Sequence, residues 1–227
     1  MTPMTNPTQI KTGVCRLAFP ALFAPKPKFG KDSDLVFQAT ILVPPDLDLA
    51  PFKAAVVACM EEHWGAAQKL AGRSNPIKSC TNINLARAAE DKKPWAGYED
   101  GWHAIRTQSQ FIPEVVDQAV RPVFAPPSNA TGDELAQLIR AAEKRVYPGV
   151  YCRFLIGAYP WNHQGTKGIG FNINAVQLVD DGPRLDGRTQ AASAFEVIDT
   201  GDDAAPESQA DASGDRPDPS DIASLFD

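Results

Sequence analysis

The chain has 227 residues, 43% of them hydrophobic, enough for one large domain with attachments; with a polar start and no long apolar run, neither a signal peptide nor a membrane span is expected. Its net charge of −6 would argue against a nucleic-acid partner if it were evenly spread. It is not: residues 199–227 hold nine acidic residues and one basic residue, Arg216, for −8, while residues 1–198 hold 21 Lys and Arg against 19 Asp and Glu, for +2.

Residues 1–11 read as a flexible lead. Residues 12–24, TGVCRLAFPALFA, alternate as a strand, with Val14, Arg16 and Ala18 on one face and Cys15, Leu17 and Phe19 on the other. Pro20 ends this strand or places it at a sheet edge. The following APKPKFGKDSD, with two prolines and a glycine, reads as a loop. DLVFQATILVP is the next strand, with Leu35, Phe37, Ala39 and Ile41 alternating against Val36, Gln38, Thr40 and Leu42. Asp48 as N-cap and Pro51 in the first turn open a helix. Its stripe of Phe52, Val56, Cys59, Met60, His63, Trp64, Ala67 and Leu70 carries it to about residue 71, where Gly72 closes it. Trp64 belongs to the core on that stripe, and His63 is a rim or core histidine.

Residues 73–100 are polar and irregular. A strand, WHAIRTQSQF, follows, then PEVVDQAVRPVF, then a short helix over 133–145 capped by Thr131 or Asp133. Two stronger strands, GVYCRFLIGAYPW and GIGFNINAVQLV, are joined by NHQGTKG, a hairpin connection. Strands dominate, with one long helix inserted between the early and late ones, so the fold class is mainly β: a partly open barrel with helical and loop insertions over residues 12–198. Residues 199–227, rich in Asp, Ala, Ser and Pro with Phe226 as the sole aromatic, read as a disordered acidic interaction tail.

The sequence holds no G-x-S-x-G, no phosphate-binding P-loop and no H-E-x-x-H, and GTKGIG reads as a turn. Cys15, Cys59, Cys80 and Cys152 are widely separated and read as buried, reduced thiols, with no close ligand pair for zinc. Glu99 and Asp100 are the adjacent carboxylates a metal-dependent nuclease would use, but a loop pair of this kind is most often solvated. No enzyme, cofactor or metal is expected.

Binding a single strand needs cations for the phosphates and flat side chains for the bases. Three segments combine them. Lys26, Lys28 and Lys31 flank Phe29; Lys92 and Lys93 precede Trp95, Tyr98 and Trp102, with Arg106 just beyond; Tyr147, Arg153, Tyr159 and Trp161 lead into Lys167. Any one of these aromatics is as readily a packed rim residue as a stacker, and any one of the lysines is ordinary surface; their clustering in loops beside Pro94, Pro160 and glycines favours the binding reading.

The segments TGVCRLAFPALFAP, DKKPWAGYEDGWHAIRTQS and KGIGFNINAVQLVDDGPRLDGR…AFEVID resemble a phage family of single-stranded DNA-binding proteins, long catalogued as a domain of unknown function and similar in plan to the T7-type protein. The resemblance covers most of residues 12–198. It implies an OB-fold body, a role in phage DNA replication and recombination in the cytoplasm of the bacterial host, and an acidic C-terminal tail ending in an aromatic. The expected partners are single-stranded DNA, with duplex DNA as a weaker ligand, and replication proteins docked through Asp218, Asp221, Leu225, Phe226 and Asp227 of the tail. The strand edges of a partly open barrel lead to an expected homodimer. The competing readings are an interaction scaffold that never touches DNA and the nuclease using Glu99 and Asp100.

Overall fold

Among residues 6–28, 31–70 and 74–187, which the computed structural model describes, eight strands join one sheet. In chain order they are β1 (Gln9–Lys11), β2 (Cys15–Lys28), β3 (Lys31–Val43), β4 (Ile77–Ser79), β5 (His103–Ser109), β6 (Glu114–Val116), β7 (Tyr151–His163) and β8 (Thr166–Asp180). Helix α1 (Ala50–Trp64) follows β3, α2 (Cys80–Ala88) follows β4, and α3 (Gly132–Arg145) precedes β7. No described helix is long and apolar enough to cross a membrane.

β2 pairs with β3, β3 with β5, β5 in parallel with β8, β8 with β7, and β7 with β2 again. This ring of five strands is the partly open OB-type barrel. Two of its seams are thin: β5 meets β8 at Thr107↔Phe171, and β2 meets β7 at Cys15↔Cys152 and Arg16↔Tyr151. Packing closes what hydrogen bonding leaves open. Leu17, Ile41, Ile105, Phe154, Ile156, Phe171 and Ile173 are fully buried inside, and side chains of this size contribute about 1.5–3 kcal/mol each on burial. α1 plugs the barrel by setting Phe52 edge-on to Phe171, ring centroids 6.4 Å apart. All four cysteines are buried free thiols, and burial pushes Cys15 and Cys80 up to about 12, so both stay protonated.

The alternation read from the sequence places Cys15 and Leu17 inside and Arg16 and Ala18 outside, but four local expectations change. β2 does not stop at Pro20. It continues through Pro25 and Pro27 to Lys28, and with the start of β3 makes a two-stranded arm where a loop was expected. Register shifts between Ala18 and Ala21 and between Ala21 and Lys26 absorb Pro20 and Pro25, the irregular ladder positions where proline is tolerated. The same irregularity turns Phe19, at φ +48°, out to solvent instead of inward with Leu17. α1 ends at Gly65, not Gly72: Gly65 adopts φ +77° and its N–H caps the Glu61 carbonyl, and Ala67 beyond it is exposed. At the helix's other end the N-cap is Leu49 rather than Asp48, although Asp48 Oδ1 accepts from the Ala50 N–H at 2.8 Å. Finally, residues 73–100 are not all irregular. They hold β4 and the short polar helix α2, whose N-cap Ser79 accepts from the Asn82 N–H.

Candidate nucleic-acid interface

Side chains alternate across a strand, so the residues between the core positions form the barrel's outer face. β3 presents Gln38 and Thr40 there, and β5 presents Arg106 and Gln108, paired across the ladder as Gln38↔Gln108 and Thr40↔Arg106. β8 presents Gly168, Gly170 and Asn172, and β7 sets Trp161 opposite Gly168 and Tyr159 opposite Gly170. A Cβ on Gly170 would lie 2.7 Å from Tyr159 Cζ, and one on Gly168 would lie 2.3 Å from Trp161 Cζ2. Both rings therefore lie across β8 in the space the glycines leave, half-buried, with one side against the strand. Gln108 Nε2 donates to the Tyr159 hydroxyl, which ties β7 to β5 over β8. Burial raises the Tyr159 hydroxyl above its ordinary value, so it is neutral at physiological pH. Arg106 is exposed on β5, its Nη2 donating to Gln38 Oε1 at 2.8 Å.

The arm brings the first lysine group to the same face. Lys28, Tyr159 and Phe111 line one cleft of about 570 Å³. Lys26 is exposed on the arm, and the backbone of Lys31 stands opposite Lys28. Lys167 is exposed at the β7–β8 hairpin, opposite Asn162. Lys28 of the first sequence cluster and Tyr159 of the third thus share one cleft, while Tyr147 is buried elsewhere, its hydroxyl donating to Asp181 Oδ1 at 2.8 Å. Arg153 does not join them: it is exposed on β7 opposite Gln177, six residues before Tyr159 and so about 20 Å along the strand. Phe29 and the tail residues Asp218, Asp221, Leu225, Phe226 and Asp227 lie outside the described residues.

The second cluster occupies the other end of the outer face. Tyr98 is 5% exposed, packed with Ala18, Leu42, Cys80 and Ala104. Burial pushes its hydroxyl up to about 12, against the opposing pull of a hydrogen bond with Thr40 and the nearby Arg106 guanidinium. Trp102 is half-buried against the same group. Trp95 keeps 38% of its surface exposed. Its ring meets Tyr98 and Phe19 edge-on at 5.1 and 5.2 Å, and the Arg87 guanidinium sits 4.4 Å over its face. Lys93 is exposed, and Lys92 pairs with Glu90 at 2.7 Å. Arg106, opposite Thr40 on β3 and two residues before Gln108 on β5, stands between the Tyr98 and Tyr159 groups, and the outer-face residues from one group to the other make up the candidate track.

Sequence reasoning missed five members of the track: Phe19, Gln38, Arg87, Gln108 and Phe111. Phe111 is 80% exposed and stands two residues before Pro113, a proline-flanked aromatic much like Trp95 and Trp161, so it was open to the same reasoning. Phe19 faces outward only because of the bulge. The carboxylates considered for metal chemistry are engaged separately: Glu99 pairs with Arg16 at 3.5 Å, and Asp100 accepts from Thr81 Oγ1 at 2.9 Å. No cluster of three or more potential metal ligands occurs among the described residues.

The family model described as Enterobacter phage Enc34, ssDNA-binding protein, matches residues 8–205. Among solved structures, the chain is similar to the single-stranded DNA-binding protein from bacteriophage Enc34 in complex with ssDNA, at 18% identity over 79% of this chain and 90% of that one, TM-score 0.59. A second structure of that protein aligns at 17% identity over 84% and 92%, TM-score 0.57. Gp2.5, a single-stranded DNA-binding protein encoded by bacteriophage T7, aligns at 12% identity over 84% and 98%, TM-score 0.46. No curated protein matches the sequence.

Proposed function

The chain belongs to the family of the Enterobacter phage Enc34 ssDNA-binding protein, and on that premise we propose that it binds single-stranded DNA, with little regard to sequence, along the outer face of β3, β5, β8 and β7. The observation that carries this reading is the pair of rings, Tyr159 and Trp161, seated on Gly170 and Gly168. Every base has a flat face, so stacking on fixed rings tolerates any sequence and contributes about 1–3 kcal/mol per base. Arg106 in the track, Lys26 and Lys28 on the arm and Lys167 at the hairpin supply cations for the phosphates between stacked bases.

Titrating labelled oligo(dT) at several salt concentrations tests this. About five neutralised phosphates give a log–log slope of affinity on salt of roughly −3.5 for a single strand, and binding quenches tryptophan fluorescence. Absence of binding at low salt sinks the proposal and favours a scaffold that never touches DNA; cleavage of the oligonucleotide with Mg²⁺ favours the nuclease.

Residues 199–227 form a second functional part in this proposal. Nine acidic residues make them a mimic of the DNA backbone, able to occupy the cationic face until single-stranded DNA displaces them. Leu225 and Phe226 then offer an apolar anchor, and Asp218, Asp221 and Asp227 a charged rim, to a replication protein with a matching pocket. Removing residues 199–227 is expected to leave oligo(dT) affinity equal or tighter and to abolish capture of replication proteins. Weaker DNA binding in the truncated chain argues against this role. The same proposal places the protein in the cytoplasm of the bacterial host, with duplex DNA as a weaker ligand. The proposal includes a homodimer, with the sheet edges at β1 and β6 as the surfaces a second copy would pair with.

A further inference from the structure

Phosphate binding does not account for the cleft between the arm and the end of β5. Asp34 is part of its lining, is exposed, and makes no ion pair among the described residues. Lys28 lines the cleft too, but the carboxylate repels a phosphate and offsets that attraction, so the backbone of a bound strand gains little by entering. The rest of the lining suits a base instead. Phe111 and Tyr159 are aromatic, Leu35 is 51% exposed, and the amides of Gln108 and Asn172 stand beside them. Asn172 carries an unusual feature: its Oδ1 is buried with no hydrogen-bond partner. That oxygen is held against Gly157, 2.6 Å from where a Cβ would stand, which leaves the amide nitrogen as the end available to the cleft.

We propose that this cleft takes one nucleobase of the bound strand, edge first, and that it favours a base with an exocyclic amine, cytosine or adenine, over thymine. The inference rests on the single-stranded DNA-binding reading and refines it at one position of the track. Asp34 accepts from the amine, the pairing that carboxylates make with cytosine N4. Asn172 donates to the neighbouring ring nitrogen, and Phe111 and Tyr159 hold the ring by stacking. Thymine presents O4 where the amine would be. Two acceptors then face each other with no proton between them, and both lose their water on entry. The remaining positions stay tolerant because they read only the faces of bases, so a strand binds in the register that offers the cleft an amino base.

The test compares oligo(dC) and oligo(dT) of equal length, two pyrimidine strands, binding to the full chain at one salt concentration and pH 7.5. The wild-type chain is expected to bind oligo(dC) about 5–10-fold more tightly, a single-contact fraction of the discrimination a bidentate base contact gives. Asp34→Asn supplies an amide that can donate to thymine O4, and is expected to bring the ratio below about twofold by raising oligo(dT) affinity. Phe111→Ala is expected to weaken oligo(dC) more than oligo(dT). Equal wild-type affinities, or a preference that survives Asp34→Asn, overturns the inference while leaving the binding function standing. Failure of both oligonucleotides to bind overturns the function and the inference together.

Discussion

Replacing Gly170 by valine is expected to weaken oligo(dT) binding by about 1–3 kcal/mol, as much as Tyr159→Ala does, with the double variant losing no more than either alone. The heavy atoms nearest a Cβ at Gly170 are Cζ, Oη and Cε1 of Tyr159, at 2.7, 2.8 and 2.9 Å. The ring must leave its seat to admit a side chain. In leaving, it gives up the Gln108 hydrogen bond that fixes its plane. Stacking demands a ring held flat before the base arrives, because a ring that must be ordered on binding spends part of the interaction on its own immobilisation. Gly168 is the less clean test. A Cβ there meets Trp161 but also the backbone of Ser74 at 3.0 Å, so a substitution displaces a neighbouring segment as well. Fluorescence titration of the wild type, both single variants and the double closes a cycle whose coupling should equal one full single-variant loss. Native affinity in Gly170→Val, or losses that add in the double, sinks the idea that the glycine exists to seat the ring.

The difference between what the sequence made legible and what it hid follows from the range of the forces involved. Strand alternation is local, so Cys15 with Leu17 and Ala39 with Ile41 were read onto shared faces, and the last two strands were found in place. Helix α3 was also legible, from Thr131 at its cap, Asp133 and Glu134 in its first turn and Lys144 and Arg145 in its last. The arm was hidden because Pro20, Pro25 and Pro27 signal a break, and only the partner strand shows that the ladder steps around two of them. α2 was hidden because so short a helix has little apolar stripe; Ser79 was its one local mark. The candidate site divides along the same line. Lysines and aromatics can be counted in a sequence, and Lys28, Tyr159 and Trp161, from two of the three clusters, do fall on one face. Whether an aromatic packs or stacks depends on what lies across the sheet. Tyr98 is sealed by Ala18, Leu42 and Ala104 from three different strands, whereas Tyr159 is half open because β8 places a glycine under it. GTKGIG reads as a turn in isolation. Only the β7–β8 register turns its last two glycines into a platform.

Phe171→Ala is expected to cost about 3–5 kcal/mol of stability, a large share of the 5–15 kcal/mol typical of a domain. The side chain is fully buried and stands at the one position where β5 and β8 pair, with the edge of Phe52 from α1 against it. Its pairing partner Thr107 is also buried and bonds across to the Ala39 carbonyl on β3 at 3.0 Å, so the cavity opens at a junction of three strands and a helix. At about 2–4 °C per kcal/mol for a chain of this size, the melting temperature should fall by roughly 6–20 °C. The two residues beside Phe171 face the other way: Gly170 seats Tyr159 and Asn172 lines the cleft. One strand thus carries the seam of the core on one face and the stacking platform on the other. Oligo(dT) at 100 times its Kd adds about 2.7 kcal/mol to the folded state of a binder, and should restore most of the lost melting temperature in Phe171→Ala. A melting temperature within two or three degrees of wild type shows that the barrel does not depend on this seam. A large drop that oligo(dT) fails to reverse shows the opposite extreme, in which opening the seam dismantles the platform, and binding and barrel closure are then one equilibrium.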